Sequence, residues 1–286
     1  MLLVVAGMGI GIPMRGTKRA RRATAIAVAA LAMAGAARAG PRVFSLDQCA
    51  DQYVLALIPR ADIVGLSYRA DDADSYLRKT AVGLPLRRAS TESVLASRAD
   101  IVVRYWGGDE LMTRRLQARG IRVVKIDDAS DFAGIRADIR QVAAALGRPA
   151  QGEALAAGMD RELAVARGAW SGQKVLYLTP GGFTAGPDTL VGAMISAAGL
   201  TDAAGLGYAP VPLERLMIDP PQALVLGFFD PVSLGTQRWS IGRRAALRHL
   251  TATRTLASLP AAVLGCPAWF AADAPRDLAA ARSARP

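Results

Sequence analysis

One pattern constrains this chain more than any other: short apolar runs alternate with helical stretches, the alternation is interrupted by one long helix, and it then begins again. Arg42–Leu46, Ile63–Leu66, Asp100–Val103 and Arg122–Ile126 read as strands. The stretches Asp47–Leu57, Glu92–Ser97 and Asp109–Arg119 between them read as helices. Strand, helix, strand, helix predicts a parallel sheet with crossover connections. Asp131–Leu146 follows with apolar residues at Phe132, Ile135, Ile139, Val142 and Ala143, the period of a helix. Gly147-Arg148-Pro149 breaks it, and Gln151–Trp170 restarts as a helix of roughly 20 residues, about 30 Å long. Lys174–Leu178, Ala223–Gly227 and Ala262–Leu264 then read as strands, with helices at Leu190–Ala198 (capped by Gly199), Leu213–Ile218 and Arg244–His249. The expectation is an α/β chain of two Rossmann-like lobes, residues 40–148 and 172–286, bridged by one rigid helix within 149–171. A ligand would sit in the cleft between them.

Residues 1–39 stand apart. Arg15–Arg22 is basic and holds no acid, Ala23–Gly35 is an apolar run of small residues, and Ala37-Arg38-Ala39 has the small-x-small form that signal peptidase cuts after. The run is shorter than the ~20 residues a membrane span requires. Residues 1–13 are apolar and precede the basic region, the reverse of a normal signal, so Met14 is the expected start and Gly40 the first mature residue. Gly7, Gly9 and Gly11 mimic a nucleotide loop but lack the surrounding strand-turn-helix unit.

The leader changes the charge argument. Its six basic residues account for six of the chain's net +11, leaving +5 on the mature part. That excludes the strong basic balance of a nucleic-acid binder. Two cysteines remain, Cys49 and Cys266; export permits a disulfide, but they lie at opposite ends of the mature chain, and free buried thiols are the expectation. The single histidine, His249, lies within a helical stretch, so neither a bare zinc or manganese site nor a Ser/His/Asp arrangement is expected.

Four stretches carry a resemblance: Ser45–Asp51, Thr91–Val102, Pro180–Gly186 and Leu213–Val225. The second follows the form E-x-(I/V)-L-x-L-x-P-D-(L/I)-V, with Arg98-Ala99-Asp100 in place of Lys/Arg-Pro-Asp. The fourth repeats that logic in the second half, with Gln222 where Asp is usual. Over roughly Arg42–Trp269 the chain resembles the substrate-binding proteins of the iron-siderophore, haem and cobalamin ABC importers, the class III periplasmic binding proteins. The resemblance implies a monomeric periplasmic carrier with no catalytic residue and no resident cofactor or metal. Its ligand would be a small metal chelate, a corrinoid or ferric siderophore, and its partners the importer's membrane subunits; no nucleic acid is involved. Glu92 and Glu214, the two repeated glutamates, would dock on those subunits. A haem carrier is the alternative, and an exported enzyme using the same cleft a further one.

Cleft residues should come from loops at the C-terminal ends of the strands. In the first lobe these are Asp47, Gln48, Cys49, Tyr68, Tyr105 and Trp106; in the second, Gly181, Gly182, Phe183, Phe229 and Asp230, joined by Trp239 and Trp269. Aromatic residues are scarce, 6% of the chain, yet they gather at these positions, as a flat, partly apolar ligand would require. Tyr68 or Tyr105 could ligate haem iron, and Arg69, Arg104 or Arg238 could meet an anionic siderophore. After Trp269-Phe270 the chain turns Arg/Ala-rich and holds Pro275, so only a short helix, Arg276–Ala281, is expected to close it.

Overall fold

The computed structural model describes residues 40–229 and 241–283, without the side chains of Leu213 and residues 241–247. The leader therefore lies outside the described residues, as do Asp230, Arg238 and Trp239.

Lobe 1 is built on a five-stranded parallel sheet in the order β3-β2-β1-β4-β5, formed by β1 (Val43–Ser45), β2 (Ile63–Ser67), β3 (Leu86–Arg87), β4 (Ile101–Arg104) and β5 (Arg122–Lys125). Its helices are α1 (Gln48–Leu57), α2 (Arg78–Ala81), α3 (Thr91–Ser97), α4 (Glu110–Gln117) and α5 (Phe132–Ala145). Both faces of the sheet are covered, so strands read as unbroken apolar runs rather than alternating ones. Val43, Ile101 and Val103 point into one layer with Tyr53 and Val54 of α1; Phe44 and Val102 point into the other with Val94 of α3 and Leu116 of α4. The ring of Phe44 lies over Gly65, where a Cβ would come within 2.4 Å of it.

The bridging helix α6 (Pro149–Ala166) has Pro149 in its first turn, where a missing N–H costs nothing. Its 18 residues span about 27 Å. It packs along α5, joined by Arg140 to Glu153 through two hydrogen bonds of 2.8 and 3.1 Å and by Arg136 to Asp160.

Lobe 2 holds a four-stranded parallel sheet in the order β11-β10-β6-β8. Its strands are β6 (Lys174–Leu178), β8 (Thr201–Asp202), β10 (Leu224–Gly227) and β11 (Thr255–Leu259). A separate antiparallel ribbon pairs β7 (Phe183–Ala185) with β9 (Tyr208–Pro210). The helices are α7 (Leu190–Ala197), α8 (Leu213–Ile218), α9 (Ile241–Arg254), α10 (Ala261–Leu264) and α11 (Asp273–Ser283).

Three expectations are corrected here. Ala262–Leu264 belongs to a helical turn, started by Pro260; the last strand is Thr255–Leu259. The chain closes with a full helix from Asp273 to Ser283, with Pro275 absorbed in its first turn, packed on α6, α7 and β11. Finally, Cys49 and Cys266 form a disulfide, with Cα atoms 5.4 Å apart across a sequence separation of 217. The closing segment crosses back to lobe 1, where Tyr53 Oη donates to the Pro267 carbonyl (3.0 Å) and Tyr76 stacks on Phe270 with ring centres 4.1 Å apart. One buried apolar cluster runs from Val43 through α5, α6 and α11 to Val225, so the two lobes share an interior.

Candidate functional site

Parallel strands deliver all their C-terminal loops to one edge, and in lobe 1 a single carboxylate organises them. Asp47 is 1% exposed and caps α1: Oδ1 accepts from Cys49 N (3.1 Å) and Ala50 N (2.9 Å). Its Oδ2 reaches across to the loop after β4 and accepts from Tyr105 N (2.7 Å) and Gly107 N (2.9 Å). Gly107 allows this close approach, because a Cβ there would lie 2.6 Å from the Leu46 carbonyl oxygen. Asp47 therefore holds the cleft loop from behind, with both oxygens already engaged. Cys49 is buried in the disulfide, and Gln48 Nε2 donates to Asp74 Oδ1 (2.8 Å).

Behind this floor lies Asp51, fully buried, which accepts from Ser67 N (2.8 Å), Ser67 Oγ (2.5 Å) and Ser45 Oγ. Burial pushes its carboxyl up to about 7, against the opposing pull of the Ser45 and Ser67 hydrogen bonds. Asp138, under the loop after β5, is likewise raised by burial to about 6.

The residues left facing solvent are aromatic. Tyr68, after β2, is 63% exposed and its hydroxyl has no hydrogen-bond partner among the described residues; Trp106, after β4, is 55% exposed. In lobe 2, Phe183 is half exposed at the start of the ribbon, next to Gly181 and Gly182, and Phe229 is partly buried against Leu178 and Leu226. Trp269 packs edge-on against Tyr53 (5.6 Å) and Phe270 (5.3 Å) and is partly buried.

Two residues that the sequence did not single out complete the rim. Tyr105 Oη donates to Asp128 Oδ1 (2.6 Å), which, after burial, helps raise the phenol above its ordinary value. Tyr208 of β9 is 68% exposed, and its phenol is raised by burial and by Asp128 and Asp188. Asp128 of lobe 1 thus helps raise both phenols, Tyr105 of lobe 1 and Tyr208 of lobe 2. The missed signal was the isolated tyrosine in Gly207-Tyr208-Ala209-Pro210, hidden in a stretch with no strand pattern.

Two of the three candidate arginines, Arg69 and Arg104, are committed elsewhere. Arg69 pairs with Asp72 (3.0 Å) and Asp74 (3.2 Å). Arg104 is buried and donates to Thr113 Oγ1 (2.8 Å), and its Nε has no partner among the described residues. Among the described residues no cluster of three metal-ligating side chains occurs, and no helix is long and apolar enough to cross a membrane.

Glu92 and Glu214 occupy matching places: each lies in the first turn of a short helix, α3 and α8, that leads into a central strand, β4 and β10. Both are exposed. The N–H of Glu92 itself and the Ser90 hydroxyl hold the Glu92 carboxyl below its ordinary value.

Residues 43–263 match the family described as "Periplasmic binding protein". The periplasmic haem-binding protein BhuT, solved with two haems, is 27% identical and superposes with a TM-score of 0.62 over 85% of this chain and 99% of its own. The periplasmic haem-binding protein RhuT from Roseiflexus sp. RS-1 is 25% identical, with a TM-score of 0.63 over 85% of this chain and 98% of its own. The vitamin B12-binding protein BtuF of Vibrio cholerae shares the fold at 17% identity, with a TM-score of 0.61 over 86% of this chain and 97% of its own. No curated protein matches this sequence. With the family match covering both sheets and the bridging helix between them, the chain belongs to the periplasmic binding protein family.

Proposed function

We propose that this chain is an exported, monomeric carrier that holds haem between its lobes and delivers it to the membrane subunits of an ABC importer, with no catalytic step and no nucleic-acid partner. The observation that carries the reading is Tyr68: a solvent-facing phenol with no hydrogen-bond partner among the described residues, on a strand-end loop that shares its edge with Trp106. A phenolate can ligate haem iron, and flat rings cover a planar macrocycle. Phe183 and Tyr208 supply further exposed rings from lobe 2. Arg69 and Arg104 are already committed to Asp72, Asp74 and Thr113, which argues against an anionic siderophore. Two solved relatives at 25% identity or above, BhuT and RhuT, are haem-binding proteins. Export rests on the basic, apolar and Ala37-Arg38-Ala39 segments of the leader.

Titrating the mature chain, residues 40–286, with ferric haem and following the Soret band tests the reading. A saturable spectral shift is expected, weakened at least tenfold by Tyr68→Ala. A featureless haem titration together with tryptophan quenching by cyanocobalamin would move the assignment to a corrinoid.

Glu92 and Glu214 are proposed as the docking pair on the importer. Exposed charges of this kind steer encounter and fix register while adding little affinity, which suits a carrier that must dock, deliver and leave. In reconstituted importer vesicles, Glu92→Ala with Glu214→Ala is expected to abolish carrier-stimulated ATP hydrolysis and leave haem affinity unchanged. A loss of haem affinity in that variant would sink the docking role.

A further inference from the structure

Lobe 2 contains a cavity of about 420 Å³, away from the interlobe edge. It lies between the β7/β9 ribbon, the first half of β6, and α8. Lys174, on its wall, starts β6, whereas the interlobe loop follows Leu178. Side chains alternate along the ribbon, so Phe183 and Tyr208 are exposed at the rim while their neighbours Thr184 and Ala209 line this cavity.

The wall has an orphan. Thr184 is 6% exposed, lines the cavity, and its hydroxyl has no partner among the described residues. Buried hydroxyls normally find one, and an unmet group marks a place where something else is accommodated. Thr184 stands directly across the ribbon from Ala209, which also lines the cavity. The floor is apolar, with Leu176 of β6 and Leu216 of α8. Lys174 and Arg215, both exposed, have no carboxylate partner among the described residues, and Asp219 is the one acid among the lining residues.

We propose that this cavity is a second ligand site, separate from the interlobe cleft, for a small amphipathic anion. An apolar body rests on Leu176 and Leu216, an acidic head meets Lys174 and Arg215, and a polar atom of the ligand satisfies the Thr184 hydroxyl. The combination of a mostly apolar wall with a few convergent polar groups is the ordinary make-up of a small-molecule pocket. The site lies against α8, the helix proposed to carry one docking glutamate, so occupancy would brace that helix from below.

Anilinonaphthalene sulfonate, an amphipathic anion that fluoresces in apolar surroundings, is the probe. Titration of the ligand-free mature chain should give saturable binding of one dye per protein. Ala209→Trp, which fills the cavity, and the double change Lys174→Gln with Arg215→Gln should each weaken it at least tenfold, while haem titration stays unchanged. Tyr68→Ala should leave the dye unaffected. Thr184→Val keeps the shape and removes the orphan; it should raise the melting temperature of the empty protein and weaken the dye. Unsaturable dye binding, binding that Ala209→Trp leaves intact, or binding lost in Tyr68→Ala each overturns the proposal. The dye results stand whether or not haem is the cleft ligand.

Discussion

Removing the carboxylate of Asp47 would strand four backbone N–H groups at once, two at the start of α1 and two in the loop that presents Tyr105 and Trp106. Loss of a helix cap costs about 1 kcal/mol, and each buried N–H left unpaired about 1–3 kcal/mol. Asp47→Ala should therefore destabilise the chain by about 3 kcal/mol in urea unfolding. Asp47→Asn should recover only part, because an amide oxygen can serve one pair of donors but its NH2 cannot accept from the other. Asp51 predicts a pH dependence. Its folded carboxyl titrates near 7, whereas in the unfolded chain it titrates near 4. The native state thus holds the extra proton between these values, so its contribution to stability is full below about 4, falls as pH rises toward 7, and is level beyond. Asp138 adds a slope of the same sign. Asp51→Asn should flatten the upper part of that fall in chemical denaturation measured across this range. At this scale the sequence showed which residue types stand at the strand ends but not what each does there. Asp47 stands at a strand end, as a ligand contact would, and only the three-dimensional course of the Tyr105 loop shows that its lone pairs are taken.

Elements were legible in proportion to how far one physical signal dominated. β1, β4, β6 and β10 are covered on both faces and carry continuous apolar runs, so they stand out. α5 shows its apolar stripe because one face packs inward on α6 while the other is wet. The failures have reasons of the same kind. A run as short as Ala262-Val263-Leu264 fits a strand or a helical turn equally well, and Pro260 decides for the turn. The β7/β9 ribbon draws three residues from each of two stretches rich in glycine and proline, too short for a period to emerge. The disulfide could not be read from spacing, since proximity of Cys49 and Cys266 is a property of the closing segment's return to lobe 1. That segment makes its own prediction. Cys49→Ala with Cys266→Ala, or reduction of the native chain, should cost about 2–5 kcal/mol of stability in guanidinium unfolding. An unchanged midpoint would mean that the Tyr53–Pro267 and Tyr76–Phe270 contacts anchor the segment unaided.

Across the whole molecule, two sheets share one continuous interior that passes through α6 and α11. Such a body has little freedom to hinge widely, so under the proposed function discrimination between ligands would rest on what the facing rims present. Those rims offer rings, phenols and the carboxylates Asp128 and Asp188, with the nearby guanidinium groups of Arg69 and Arg104 engaged by their own neighbours. The two-lobed plan was readable because the alternation occurs twice with a long helix between. The rim chemistry was only half readable, because Tyr208 and Asp128 gain meaning only when lobe 2 is set against lobe 1.

The cross-link also orders the birth of the protein. Cys49 is synthesised 217 residues before its partner, and lobe 1 can assemble its sheet while that thiol waits. The chain holds just two cysteines, so only one intramolecular pairing exists and no reshuffling among wrong partners is ever required. Oxidation can come only after the C-terminal segment has been made and has folded back. The bond is therefore a seal set on completed molecules, and a chain truncated before Cys266 would announce itself by a free thiol able to join a second copy.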